Sequence, residues 1–337
     1  MDDFKHIQTA HCENGVTVNL LKRQGLNFFN EPLAFGIGSG LFYIHIPFLK
    51  INKGPAISFR SLPGAIFKRT CKVLDIPVVH KKFKSESEAQ KFIDQRVDDG
   101  IAVGCQVGVF HLMYFPKAYR FHFNAHNLIV YGKEDNNYLI SDPVMEETTT
   151  LTIEELNKVR FAKGPFAPKG HVYYPEKVKD VSDEQVRNAI VKGIKHNVRD
   201  MIKIPSGRMG VKGINHTAKQ IRKWRAKNGE KQAGLFLGQI VRMQEEIGTG
   251  GGGFRFLYAA FLEQAAERLG DDRLIGISEQ MTKAGDLWRD SALQMAGIYK
   301  GRITSQKDFN DSANILNEIA EVEKQAFKAL EKLKLRV

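Results

Sequence analysis

The chain has 337 residues, 42% of them hydrophobic and 26% charged, a length beyond one ordinary core and a balance that excludes disorder, so two domains are expected. The net charge of +12 is uneven, because residues 177–231 carry 15 Lys and Arg against 5 Asp and Glu. Three widely spaced cysteines without a CxxC pair argue against a disulfide framework or a zinc site, and no apolar run reaches the roughly 18 residues of a membrane span.

The first residues, MDDFKHIQTAHCENG, place two acids where a signal peptide needs a basic n-region, so a reducing, cytoplasmic setting is expected. After Cys12, the run ENGVTVNLLKRQG sets Val16, Leu20 and Leu21 on one face, with Gly25 as C-cap; a short helix opening at Cys12 is predicted. Glycine-rich FGIGSGLFYIHI follows, then helices over PGAIFKRTCKVLD and SESEAQKFIDQRVDDG, the latter capped by Ser85 or Ser87. IAVGCQVGVF, FHFNAHNLIVYGKE and NYLISDPV read as strands, and the polar EDNN between the last two predicts a hairpin. Pro175 and a capping box at Ser182 and Gln185 mark a boundary, which divides the chain into an α+β domain over 1–176 and an all-α domain over 177–337. The predicted helices of the second domain are 182–203, 214–228, 232–247, 254–269, 272–299 and 308–334.

A thiol becomes a nucleophile when its anion is favoured, which a helix N-terminus and a neighbouring imidazolium both achieve. Cys12 is placed at a predicted helix start between polar residues. Cys71 falls within an amphipathic helix and Cys105 within an apolar strand, so both read as core. His126 opens the apolar strand NLIVYG, and Asp142 ends the strand after it, so a hairpin brings an imidazole and a carboxylate together. Cys12 as nucleophile, His126 as base and Asp142 as its orienting group follow the papain chain order.

AHCENGVTVNLL, NEPLAFGIGSGLFYI and HNLIVYGKEDNNYLISDP together resemble the N-terminal domain of the butirosin-biosynthesis protein H family. The second half, including GTGGGGFRFLYAAFLEQAA, is similar to the domain of unknown function that commonly follows it. The resemblance implies an α+β papain-like (cysteine-peptidase-like) domain followed by a helical one. It also implies transfer of an acyl group from an acyl carrier protein thioester to a hydroxyl or amine acceptor in secondary-metabolite biosynthesis. No cofactor of its own is then expected, since the phosphopantetheine belongs to the donor. PGAIFKRT and YRFHFNAHN are similar to members from flexirubin-type pigment clusters, which implies an aryl polyene donor and a dialkylresorcinol acceptor. Tyr119 and His122 of that segment, with Asn30 and Glu31, are the expected substrate contacts. Papain-type enzymes carry an oxyanion glutamine six residues before the cysteine; here that position is His6, which leaves Gln8 and His11 as oxyanion candidates.

Other features have plainer readings. His122 and His126 lack a third metal ligand, so no metal is expected, and His122 is the alternative base if it shares a strand face with His126. Asn30 and Glu31 equally fit a helix cap at a turn. Gly36, Gly38 and Gly40 suit close packing beside the Cys12 helix rather than a dinucleotide site. The run Gly250–Gly253 fits a flexible connection, or a phosphate cradle with Arg255. Arg222, Lys223 and Arg225, in KQIRKWRAK, suit docking of an acidic carrier protein or peripheral contact with a membrane; no nucleic-acid motif is present. The same chemistry would serve a cysteine amidase or peptidase, and the basic helices a non-catalytic carrier-binding scaffold.

Overall fold

The computed structural model describes residues 4–51 and 54–335. The first elements in chain order are α1 (Cys12–Arg23), α2 (Glu31–Ile37), β1 (Leu41–Ile51), β2 (Gly54–Arg60), α3 (Ala65–Val73), β3 (Val78–Lys81), α4 (Glu86–Asp98) and β4 (Val103–Val107). They are followed by β5 (His126–Glu134), β6 (Asn137–Ser141), β7 (Thr149–Thr152), α5 (Ile153–Arg160) and β8 (Val172–Pro175). The remainder is helical: α6 (Asp183–Val198), α7 (Gly210–Asn228), α8 (Glu230–Val241), α9 (Arg255–Leu269), α10 (Arg273–Tyr299) and α11 (Gln306–Lys332). Contacts gather these into one unit of Met1–Ala34 with Ile66–Ser182, and another of Phe35–Ala65 with Asp183–Val337. The exchange of residues 35–65 departs from a single division at 176. Its cause is the β1–β2 hairpin, whose Tyr43, His45 and Phe59 are buried large or polar groups that find partners in the helical unit.

In the first unit an antiparallel sheet runs in the order β3-β8-β4-β5-β6-β7. Helix α1 packs on β4, β5 and β8. Every residue from Cys12 to Leu21 is buried, so α1 is covered all round rather than along one stripe. Val16, Val18, Leu20 and Leu21 each contribute about 1.5–3 kcal/mol by leaving water. The buried polar residues of α1 have partners, as buried polar groups require. Glu13 accepts from the Ile66 N–H at 2.8 Å, Thr17 donates to the Glu13 carbonyl, and Asn19 brackets Ile7 through both its amide atoms. Gly25, at φ +100°, lets the chain turn away two residues past Arg23, the last residue of the helix.

The β5–β6 hairpin forms as its EDNN turn predicts, with Glu134 opposite Asn137 and Ile129 opposite Ser141. Asp142 therefore follows the last paired residue of β6, diagonal to His126 across the hairpin. Residues 120–125 are not strand; β5 begins at His126.

In the second unit the hairpin is held by α6 and α7. Asn197 donates to the Leu41 carbonyl, and the Tyr43 hydroxyl, Thr217 and His45 form a buried chain. The glycine-rich stretch also belongs to this unit. A Cβ on Gly36 would meet Phe261, and one on Gly193 of α6 would meet the Gly36 backbone. Gly250, Gly251, Gly252 and Gly253 all have positive φ, a succession that only glycine adopts without strain. The Gly252 N–H donates to the Glu245 carboxylate, so the run is a packed turn and neither a loose connection nor an open phosphate cradle.

Candidate active site

Cys12 is the first residue of α1 and is 7% exposed. The helix starts there because His11 takes an extended conformation and its Nδ1 accepts from the Asn14 N–H. Glu31 secures the preceding turn: its carboxylate accepts from the N–H groups of Ala10 and His11, each at 2.9 Å, and from Asn14 Nδ2. Burial raises the Glu31 carboxyl above its ordinary value, against the opposing pull of those three hydrogen bonds. The segment leading to Cys12 is tied to the segment around Asp142. The Thr9 N–H donates to the Pro143 carbonyl at 2.7 Å, and His6 bonds Ser141 and the Met145 carbonyl. The cysteine turn and the aspartate turn are thus one hydrogen-bonded assembly.

His126 Nε2 lies 2.7 Å from Asp142 Oδ2, and both residues are buried. The same ring is hydrogen-bonded to Cys12. With Nε2 taken by the carboxylate, Nδ1 is the atom that faces the sulfur, and in neutral His126 it carries the lone pair that accepts the thiol proton. Burial by itself pushes the imidazole down; the charges of Asp142 and Cys12 and hydrogen bonds to both outweigh it and raise His126 from 6.5 to about 10. By contrast, burial pushes Cys71 up to about 12, and Cys105 to about 11 despite the nearby Arg160.

Asp142 has two further donors, the Val144 N–H on Oδ1 and the Tyr114 hydroxyl, 2.7 Å from Oδ2. Tyr114 lies in the loop after β4, and nothing in its local sequence marks it. Burial and the adjacent Asp142 hold its hydroxyl well above the ordinary phenol value, so it remains a donor. Tyr114→Phe keeps the ring's edge contact with Phe115 but removes one donor from a buried carboxylate. The expected outcome is about a tenfold fall in kcat with little change in KM, since a hydrogen bond to a charged group is worth about 1.5–3 kcal/mol. Steady-state kinetics on a small thioester measure it, and an unchanged kcat would remove Tyr114 from the role.

Gln8 is exposed and, with Thr9, Ala10 and Glu31, lines an open cleft of about 380 Å³ just ahead of Cys12. His11 caps α1, and His6 is held at the end of β6. Asn30 caps α2 through its Oδ1 and the Leu33 N–H, and Glu31, the clamp described above, also lines the cleft. Tyr119 is exposed in a short 3-10 turn. His122 lies in the loop before β5, stacked on Phe110 at 4.1 Å, and so does not share a strand face with His126.

The basic residues also divide. Arg255 is not a surface cation: it is fully buried, and Nε and Nη2 donate to the Glu323 carboxylate at 2.8 and 3.0 Å. Arg222 is fastened to α11 by Asn314 and Asn317, Arg225 pairs with Glu230, and Lys223 is exposed. Among the described residues no cluster of three or more metal-ligating side chains forms, and no helix is long and apolar enough to cross a membrane.

A helix opening at a cysteine, laid against an antiparallel sheet whose strands deliver a histidine and then an aspartate, defines a papain-like α+β fold, here followed by a helical part. The family model described as butirosin biosynthesis protein H, N-terminal, matches residues 11–143, and the domain of unknown function DUF4872 matches residues 154–330. The chain belongs to the family of the second model, DUF4872, and its first part is similar to the butirosin family. No curated protein matches it. Among solved structures, a chain described as a C39-like peptidase from Bacillus anthracis aligns with 53% of this chain and 96% of its own, at 15% identity and a TM-score of 0.35. That similarity bears on neither activity nor substrate.

Proposed function

We propose that the chain is a thiol acyltransferase in which Cys12 takes an acyl group from a carrier-protein thioester and passes it to a hydroxyl or amine acceptor. The observation that carries this reading is the hydrogen-bonded series from Cys12 at the tip of α1 through His126 to Asp142. The biosynthetic name of the matching N-terminal family favours transfer to a molecule other than water.

The Cys12 thiolate attacks the thioester carbonyl carbon, and the tetrahedral oxyanion is met by the Cys12 backbone N–H at the helix start and by Gln8. The carrier thiolate leaves with the proton of His126, and the acyl group stays on sulfur. His126 then removes the proton of the acceptor hydroxyl or amine, which attacks the acyl-enzyme and frees the Cys12 thiolate. Asp142 keeps the proton of neutral His126 on Nε2 and stabilises the imidazolium.

Incubation with an acyl thioester of a phosphopantetheine mimic is expected to add the acyl mass to the Cys12 peptide, and added amine or alcohol is expected to discharge it faster than water. Hydrolysis at a rate indifferent to acceptor would instead favour an amidase or peptidase. Binding of an acidic carrier protein without any adduct would favour a scaffold.

The Asp142–His126 pair also sets the pH dependence. Asp142→Asn can still present an oxygen at the Oδ2 position to His126 and Tyr114, which preserves the tautomer without the charge, while its NH2 then faces the Val144 N–H. Asp142→Ala loses the acceptor altogether and is expected to lower kcat about a hundred- to ten-thousand-fold, with Asp142→Asn losing less. Both move the alkaline limb, set near 10 by the raised His126, to lower pH, because burial alone depresses the imidazole. The stability that this raised value contributes is complete below 6.5 and fades as pH climbs through about 10. A pH–rate profile that keeps its alkaline limb in Asp142→Ala would rule out this coupling.

A further inference from the structure

Antiparallel pairing places Gly104 opposite Tyr173 and Gln106 opposite Asn127. Directly opposed residues share a face, as do residues two apart on one strand, so Asn127 and Tyr173 lie on the same side of the sheet as Gly104. That side is the α1 side, because a Cβ on Gly104 would meet Val16. Asn127 is therefore beneath the nucleophile helix, while its neighbour His126 starts the strand.

Both atoms of the Asn127 amide are assigned by their partners. Oδ1 accepts from the Tyr173 hydroxyl at 2.8 Å. Nδ2 donates to the Ala125 carbonyl at 3.2 Å, an atom that only accepts, so the amide cannot be reversed. The other N–H of Nδ2 is directed to Cys12 Sγ at 3.8 Å, a donor distance suited to sulfur. Asn127 and Tyr173 are both about 3% exposed, so no water competes with this donor.

We propose that Asn127 is the interior hydrogen-bond donor that holds the Cys12 sulfur as a thiolate, and that Tyr173 is the positioning residue that fixes the amide. This rests on Cys12 being the nucleophile. A neutral thiol gains little from an N–H donor, whereas a thiolate gains a charge-assisted bond, so the contact favours ionisation. Asn127 approaches from the protein interior, with its other N–H on Ala125, so it supports the sulfur from beneath. The remaining titratable groups about the sulfur are His11 at the N-cap, Glu13 in the first turn, and His126 with Asp142 and Tyr114. The substitutions below leave all of them in place.

The test compares the full-length chain with Asn127→Leu and Tyr173→Phe. It follows iodoacetamide alkylation of the Cys12 peptide against pH by mass spectrometry, and thiolate ultraviolet absorbance against Cys12→Ala. Asn127→Leu is expected to raise the pH of Cys12 ionisation by about one unit, which lowers alkylation about tenfold at any pH below both midpoints. Tyr173→Phe is expected to shift it the same way by less, and it serves as the measurement if Asn127→Leu fails to fold by thermal melting. Profiles superposable on the wild type in the folded variants would overturn the role of Asn127. A wild-type Cys12 that alkylates no faster than the denatured chain would overturn the proposed function itself, and this inference with it.

Discussion

Cys12→Ala is expected to abolish acyl-enzyme formation and to lower thioester turnover on the order of a thousandfold or more, to the level that binding and the remaining hydrogen-bond donors sustain. The fold should be retained. Alanine is smaller than cysteine, favours helix, and leaves both the His11 cap and the Glu31 clamp in place. The expected pattern is therefore an unchanged thermal midpoint beside a complete loss of the adduct. Cys12→Ser should be nearly as inactive, because a hydroxyl in the same position ionises far less readily than a thiol. Neither remaining cysteine can substitute, since Cys71 and Cys105 are fully buried and burial raises them to about 12 and about 11. Persistence of the acyl mass in intact Cys12→Ala protein would end the case for this cysteine.

Glu323→Ala is expected to be the most destabilising single change in the helical unit. Glu323 is fully buried, and its carboxylate accepts two bonds from Arg255 and one from Trp288 Nε1 at 2.8 Å. Arg255 also lies over the rings of Phe59 and Trp288, whose faces attract the cation but cannot replace a carboxylate. Removing the acid leaves a guanidinium without its counter-ion in a dry core, which costs about 3–5 kcal/mol and lowers the melting temperature by roughly 10 °C or more. The double variant Arg255→Met with Glu323→Leu should be less destabilised than Glu323→Ala, because no charge is left unpaired. Thermal and urea unfolding measure both, and a Glu323→Ala midpoint within a degree or two of wild type would contradict this account.

Much of the structure could be read along the chain because its signals are short-range. The start of α1 at Cys12, the β5–β6 hairpin and six helices after residue 182 each depend on a cap, a turn or a periodicity contained within a few residues. The closeness of His126 and Asp142 follows from the same hairpin. Tyr114, Asn127 and Tyr173 could not be found this way, because their partners are set by sheet pairing and by a loop that returns over the strand ends. The alternation along β5 alone would have turned Asn127 to the face opposite His126, but only the register with β4 and β8 shows that this face lies under α1.

The amino-acid order by itself determined the local grammar: a thiol at a helix tip, an imidazole and a carboxylate on adjoining strands, and a basic helical second half. Tertiary structure alone decided where the charges and the hairpin went. Arg255 reads as a surface cation because burying a lone charge is costly, and it became a core residue only because Glu323 meets it from 68 residues away. Residues 35–65 read as part of the first domain and joined the second, because Tyr43 and Phe59 are buried against Trp288. Such pairings depend on where distant segments cross, and no property of the local sequence encodes that.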